Sequence, residues 1–244
     1  MTKLSFILSC TALALTALVS CEKNFTPTVS EDTALGDRAQ VKYANFVVNS
    51  NRNYVFLDNR VVSGTASAFT NIYPSGASSN MLIAPGSRTF VIRDTLRTST
   101  QVQISLPTTL EAGAFYTMFT YDSLNNAKAK IFRDWFLPTT DTTANVRFAN
   151  FGYNPTGVPN VDVYSTRRQA NVFSNVTFTN MTDFVAFRAA TLDTLFIRQA
   201  GTTTNLVTLN GFNPLARRNY TIALRGSMRL TTGTLARGVT TILY

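Results

Sequence analysis

Apolar side chains recur at every second position over short runs along the chain. Phe115-Tyr116-Thr117-Met118-Phe119-Thr120-Tyr121 and Thr194-Leu195-Phe196-Ile197-Arg198 are two such runs, rich in the aromatic and β-branched residues that suit a half-buried pleated surface. Turn residues interrupt the runs at Asp58-Asn59, Pro74-Ser75-Gly76, Ala84-Pro85-Gly86-Ser87, Ala112-Gly113, Asn125-Asn126 and Arg225-Gly226-Ser227. No segment carries a helical period. Many short strands with this punctuation predict an all-β chain built from antiparallel β-sandwiches.

The pattern occurs twice. Val41-Lys42-Tyr43-Ala44-Asn45-Phe46 returns as Val146-Arg147-Phe148-Ala149-Asn150-Phe151, identical or conservative at every place. At nearly the same offset Phe69-Thr70-Asn71-Ile72 is matched to Phe173-Ser174-Asn175-Val176, Ile92-Arg93 to Ile197-Arg198, and Tyr116-Thr117 to Tyr220-Thr221. The step from Val41 to Val146 is 105 positions, too long for a solenoid unit and right for a whole domain. The expected division is a repeat over 40–137, a linker at 138–143 where Pro138 and short polar residues break the strand pattern, and a second repeat over 144–244.

Ahead of the repeats the pattern changes. Lys3 is followed by an apolar run from Leu4 to Leu18, about 15 residues, short of the roughly 20 that span a bilayer as a helix. Leu18-Val19-Ser20-Cys21 then resembles the lipobox of bacterial lipoproteins, which implies removal of residues 1–20 and lipidation of the Cys21 thiol. A secretory signal cut elsewhere and a spanning anchor are the rival readings; the small residue directly before the cysteine favours the lipobox. Residues 21–39, polar and without periodicity, read as a flexible tether. The expected location is the cell envelope, lipid-anchored, with the outer membrane the first choice and its face open. Loss of Cys10 with the signal would leave Cys21 as the sole cysteine of the mature chain, so no intramolecular disulfide is expected.

A family resemblance rests on strand-and-turn residues. Val161-Asp162-Val163-Tyr164 and the later Asn171-Val172-Phe173-Ser174-Asn175-Val176 resemble the opening of the bacterial envelope repeat called domain of unknown function 4397. Ala84-Pro85-Gly86-Ser87-Arg88-Thr89-Phe90-Val91-Ile92 is similar to its Pro-Gly turn and next strand, and Leu110-Glu111-Ala112-Gly113-Ala114-Phe115-Tyr116-Thr117 to its later hairpin. The second repeat has Ala190-Thr191 at the Pro-Gly position and Arg217 at the hairpin glycine, so its turns are expected to differ in type. The resemblance implies two tandem immunoglobulin-like or transthyretin-like sandwiches and no established activity.

Composition narrows the chemistry. The 244 residues include no histidine, which removes Ser-His-Asp and Cys-His nucleophilic sites and, with a single mature cysteine, the common zinc ligand sets. No phosphate loop, dinucleotide fingerprint or calcium loop is present. Neither a metal, nor a cofactor, nor a catalytic residue is therefore expected. The 13 acids are scattered, and Asp58, Asp94, Asp122, Asp162 and Asp193 lie beside turns, where Asp accepts local backbone hydrogen bonds. A formal charge of +9 suggests polyanion contact, yet the only adjacent basic pairs are Arg167-Arg168 and Arg217-Arg218. That spacing is not a nucleic-acid stripe; lipid headgroups, lipopolysaccharide and acidic glycans are the polyanions outside the cytoplasm.

Aromatic residues offer a ligand platform. Trp135, the only tryptophan, precedes the linker and is expected to close the first core or the junction, while Tyr153 and Tyr164 flank the Asn154-Pro155-Thr156-Gly157 turn, Tyr153 as the better exposed. Asp followed by Thr and a further apolar or Thr residue is similar to a bacterial O-glycosylation acceptor, and Thr33 and Thr142 are its most accessible examples. The expected function is a non-enzymatic envelope module, serving as spacer, scaffold or protein-interaction domain. The alternative is a glycan-binding outer-membrane lipoprotein.

Overall fold

The structure, a computed structural model, describes residues 35–77, 79–138, 140 and 142–244. Leu35–Asp37 form a single 3-10 turn, and Arg38 O accepts the amide of Gly113, so residues 35–39, read as part of the tether, belong to the folded body. A second 3-10 turn spans Leu124–Asn126. No helix among the described residues is long and apolar enough to cross a membrane.

Nine strands come from the first repeat: β1 (Ala39–Asn45), β2 (Asn53–Leu57), β3 (Arg60–Val61), β4 (Ile72–Tyr73), β5 (Met81–Ile83), β6 (Gly86–Asp94), β7 (Ile104–Leu110), β8 (Phe115–Tyr121) and β9 (Lys128–Asp134). Eight come from the second: β10 (Thr143–Tyr153), β11 (Val161–Ser165), β12 (Ala170–Val176), β13 (Val185–Arg188), β14 (Asp193–Gln199), β15 (Asn205–Phe212), β16 (Asn219–Ser227) and β17 (Gly238–Leu243). Each repeat makes two sheets in matching order. β4-β1-β8-β9, with β5 also on β1, faces β3-β2-β6-β7; β13-β10-β16-β17 faces β12-β11-β14-β15. In both, the first strand runs parallel to the penultimate one, β1 on β8 and β10 on β16, while the other pairings are antiparallel. The all-β sandwich architecture is the one the strand pattern predicts.

Hydrogen bonds revise one sequence match. Thr70 N donates to Asn45 O and Asn45 N to Asn71 O; Thr179 N donates to Asn150 O and Asn150 N to Asn180 O. Thr70 and Thr179 also share a left-handed backbone, at φ 75° and 60°. Phe69-Thr70-Asn71-Ile72 therefore corresponds to Phe178-Thr179-Asn180-Met181, not to the segment from Phe173. The reason is that β12 is seven residues long where its counterpart β3 has two, which displaces all that follows. The later hairpin turn is also conserved: Arg217 takes up φ 60° where Gly113 has 69°.

Period-two alternation gives each repeat its own core. Val41, Tyr43, Phe90, Ile92 and Met118 belong to the first, and Val146, Phe148, Val163, Ile197 and Ile222 to the second. The other faces of β1, β8, β10 and β16 are buried as well. A third cluster of Ala44, Phe46, Phe119, Ala149, Phe151, Ala223 and Ile242 packs one repeat on the other. Phe119 stacks on Phe151 with ring centres 4.3 Å apart, and Phe46 lies 6.4 Å from Phe151, its own counterpart. The unit of residues 35–244 is thus four sheets deep, with a pseudo-two-fold axis between the middle two.

That axis lies along the strands. Thr117 and Thr221, equivalent positions, meet the same Tyr244 hydroxyl, and Phe46 and Phe151 meet further along in the forward direction of β1 and β10. Both repeats consequently present the starts of β1 and β10 at one end of the body.

Candidate functional site

Inside the junction lies a polar network, on the strand faces that alternation alone would leave to solvent. Asp134, the last residue of β9, pairs with Arg147 of β10 at 2.5 Å, with side chains 1% and 3% exposed respectively. Thr117 Oγ1 donates to the other Asp134 oxygen at 2.7 Å, Arg147 Nε donates to Thr221 Oγ1 at 2.7 Å, and the Tyr244 hydroxyl joins Thr117, Thr221 and Arg147. Burial raises the Asp134 carboxyl above its ordinary value, with Arg147, Thr117 and Lys42 opposing. Burial also raises the Tyr244 phenol, so it serves as a neutral hydroxyl. An ion pair held this way is a fastener rather than an acid–base pair.

Lys42 occupies the β1 position equivalent to Arg147. Its ammonium donates to Gly76 O at 2.8 Å, Ala77 O at 3.1 Å and, across the junction, Leu243 O at 3.1 Å. All three N–H bonds are thereby used. Burial, partly offset by Asp134, lowers its pKa to about 8. Signals for both residues are visible in the sequence: a cation stands at the same place of both copies, between two core residues, Val41 and Tyr43 in one and Val146 and Phe148 in the other. Sequence reasoning missed them because Lys and Arg on a period-two strand read as solvent-facing.

Two clefts open on either side of this network, related by the pseudo-two-fold. One, of about 680 Å³, lies over Lys42 between β4 and β17, lined by Thr70, Asn71, Tyr73, Pro74 and Thr241. The other, of about 290 Å³, lies beside Arg147, lined by Phe132, Arg133, Trp135, Asp183 and Phe184. Among the described residues no three His, Cys, Asp or Glu side chains gather as metal ligands would.

Cys21 and Thr33 lie outside the described residues. Thr142 is exposed just before β10, where its carbonyl accepts the Ala189 amide. The three aromatic candidates are not brought together. Tyr153 ends β10 half-buried, its carbonyl bonded to Met228 N, at the end opposite the starts of β1 and β10. Tyr164 is on the outer face of β11, with Phe196 alongside at 6.4 Å and the Arg198 guanidinium over its ring at 4.0 Å. Trp135 is the correction: it is 66% exposed, far more open than Tyr153, and closes neither core nor junction. Alternation past the end of β9 explains this, since Asp134 and Phe136 point into the junction and Trp135 must point out. Arg133 lies over its ring at 3.9 Å and is itself held by Glu111 at 2.5 Å. The turn aspartates do accept backbone amides: Asp58 from Thr89, Asp94 from Leu96, Asp122 from Ser123, Asp162 from Asn175 and Asp193 from Arg167.

Comparison with known proteins gives one assignment. No curated protein matches the chain. Among solved structures, a family 26 carbohydrate-binding module of the Eubacterium rectale protein Amy13K, crystallised with maltoheptaose, is similar over 85% of this chain and 96% of its own. Its identity is 10% and its TM-score 0.25, too low to bear on this chain's ligand. The profile of the domain of unknown function DUF4397 matches residues 39–164, more than half of the sequence, spanning the first sandwich and the opening strands of the second. With the strand order and turn conformations of that segment repeated in the rest of the chain, the protein belongs to the DUF4397 family.

Proposed function

We propose that the chain is a non-catalytic, lipid-anchored scaffold of the bacterial cell envelope, held at the outer membrane through Cys21 and presenting surfaces for protein contact. The observation that carries the reading is the junction. Its charged groups are held by neighbours there, Asp134 by Arg147 and Thr117, Lys42 by three carbonyls, and in that role they fasten the two sandwiches. The lipobox-like Leu18-Val19-Ser20-Cys21 supports the anchor. The test is export in a lipoprotein-processing bacterium with a labelled fatty acid. The wild-type chain should take up label and stay in the membrane pellet through a salt wash; Cys21→Ser should lose the label and accumulate as precursor or in the soluble fraction. Capture of an envelope protein by the wild type after chemical cross-linking supports the scaffold role, and substrate turnover by the purified protein would remove it.

A second reading, saccharide binding, is favoured by the larger cleft. Its hydroxyl and amide side chains, Thr70, Asn71 and Thr241, stand beside the Tyr73 and Pro74 rings, the mixture of polar edges and flat apolar faces that a sugar needs. Asn71→Ala with Thr241→Ala should then abolish retention on a glycan array that the wild type passes.

A further inference from the structure

We propose that the end of the body where β1 and β10 begin is a membrane-docking face, with apolar residues entering the interfacial layer and arginines meeting anionic lipid phosphates. This rests on the anchored reading above and adds an orientation to it. Three independent features converge on that end.

The first is apolar. Trp135 and Leu192 are each 66% exposed, Leu215 57% and Leu137 48%. Leu192 lies in the loop between β13 and β14 and Leu215 in the turn before β16, and these touch through the Ala190 N–H to Pro214 O bond. Leu137 is tied to the start of β10 by Asn145, which donates to its carbonyl. Large apolar side chains exposed together call for a partner, and Trp is the residue most at home in the headgroup layer.

The second is charge. Arg167-Arg168 and Arg217-Arg218, far apart in sequence, meet Arg188 around the same loops. Arg167 N donates to Asp193, Arg168 donates to Ala186 O and stacks on Phe187 at 4.5 Å, Arg217 N donates to Thr143 O, and Arg188 is opposite Thr143 in the sheet. A cavity of about 220 Å³ is lined by Arg167, Arg168, Arg188 and Asp193. Asp193, held by Ser165 Oγ, Thr166 Oγ1 and the Arg167 amide, supplies one negative charge against three guanidinium groups, so the pocket stays net cationic. The Arg167 and Arg188 side chains pair with no described residue. In the first repeat the corresponding end is compensated, Arg88 by Asp58 at 3.2 Å and Arg133 by Glu111.

The third is the chain itself. Leu35–Asp37 lie at this same end, against the Gly113 turn, with Gly36 O 3.0 Å from where a Gly113 Cβ would stand. Thirteen residues, Glu22 to Ala34, separate Cys21 from Leu35, so the anchored chain reaches the body on the face that carries the arginines. A bilayer with anionic headgroups is the one surface that this placement supplies to both the apolar and the cationic groups.

Trp135, the only tryptophan, reports docking directly. The lipidated full-length protein is reconstituted on phosphatidylcholine vesicles with and without 30% phosphatidylglycerol, each also made with bromine-labelled lipid. On the anionic vesicles Trp135 emission should shift to the blue and be quenched by bromolipid; on pure phosphatidylcholine, or in 1 M NaCl, quenching should fall severalfold. Each arginine near an anionic surface is worth about fivefold in partition, so Arg167→Gln/Arg168→Gln/Arg188→Gln should weaken docking by about a hundredfold. Vesicle binding by mature chain carrying Cys21→Ser separates the two ideas. Its survival with anionic lipid upholds docking even if the anchor reading fails. Firm co-sedimentation of the lipidated chain with Trp135 unquenched, and unaffected by the triple substitution, overturns docking and leaves the anchor standing. Loss of quenching on adding millimolar inorganic phosphate at constant ionic strength would make the pocket a site for a soluble anion and also overturn it.

Discussion

Arg147→Met should be a severely damaging substitution at the junction that leaves both cores untouched. It removes the partner of a carboxylate that is 1% exposed and leaves Asp134 with one hydroxyl donor, Thr117, and the more distant charge of Lys42. Breaking one side of a buried ion pair costs about 3–5 kcal/mol. A direct Coulomb value for unit charges about 4 Å apart at an effective dielectric near 20 is about 4 kcal/mol, in agreement. Thr221 and Tyr244 also lose a partner, at about 1 kcal/mol each, part of which Met packing offsets. A loss of about 4 kcal/mol corresponds to roughly 8–16 °C in melting temperature for a body of this size. Arg147→Met with Asp134→Leu should regain most of that loss, because exchanging a whole buried pair for apolar groups is close to neutral. Urea unfolding followed by far-UV circular dichroism measures all three proteins. The wild type should unfold in one transition, since the Phe46, Phe119 and Phe151 cluster couples the sandwiches, and the single substitution should split or broaden it. A cost below 1 kcal/mol for Arg147→Met, or a double substitution no better than the single, would refute the reasoning.

Other outcomes follow from the same contacts. Phe151→Ala removes a ring that touches Phe46, Phe119, Tyr121 and Phe132, and should cost about 3–5 kcal/mol by the same urea assay; a cost like that of an exposed position would mean the junction is not closed in solution. Protease nicking in the 138–143 linker should leave two fragments that elute together from a sizing column, because β9 and β10 stay bridged by Asp134 and Arg147; separation without denaturant counts against the packed arrangement. Lys42 titrates at about 8 in the folded chain against 10.5 as its ordinary value, so between these the unfolded chain binds more protons and stability rises with pH. That rise should be visible from pH 8 to 9.5, before tyrosine ionisation works against it, and should flatten in Lys42→Met; a falling slope in the wild type would contradict the assigned shift.

Much of the architecture was legible along the chain. Alternating runs such as Phe115–Tyr121 specify strands and say which residues share a face, because the side-chain period of a strand is two whatever surrounds it. The duplication was visible at Val41–Phe46 and Val146–Phe151, and turn chemistry marked where strands end. What alternation does not say is what covers each face. Lys42, Thr117, Arg147 and Thr221 stand on the faces that would be wet in a lone sandwich, and only the stacking of one repeat on the other buries them and pairs Arg147 with Asp134. The match from Phe69 slipped because a longer β12 changes the offset without changing the fold, and hydrogen bonds, not sequence spacing, define the equivalence. Trp135 looked like core by composition and is exposed by strand phase. The arginines were counted correctly as scattered pairs, yet charge acts through space: the sandwich topology folds three loops from separate parts of the second repeat onto one end, and there five of them meet.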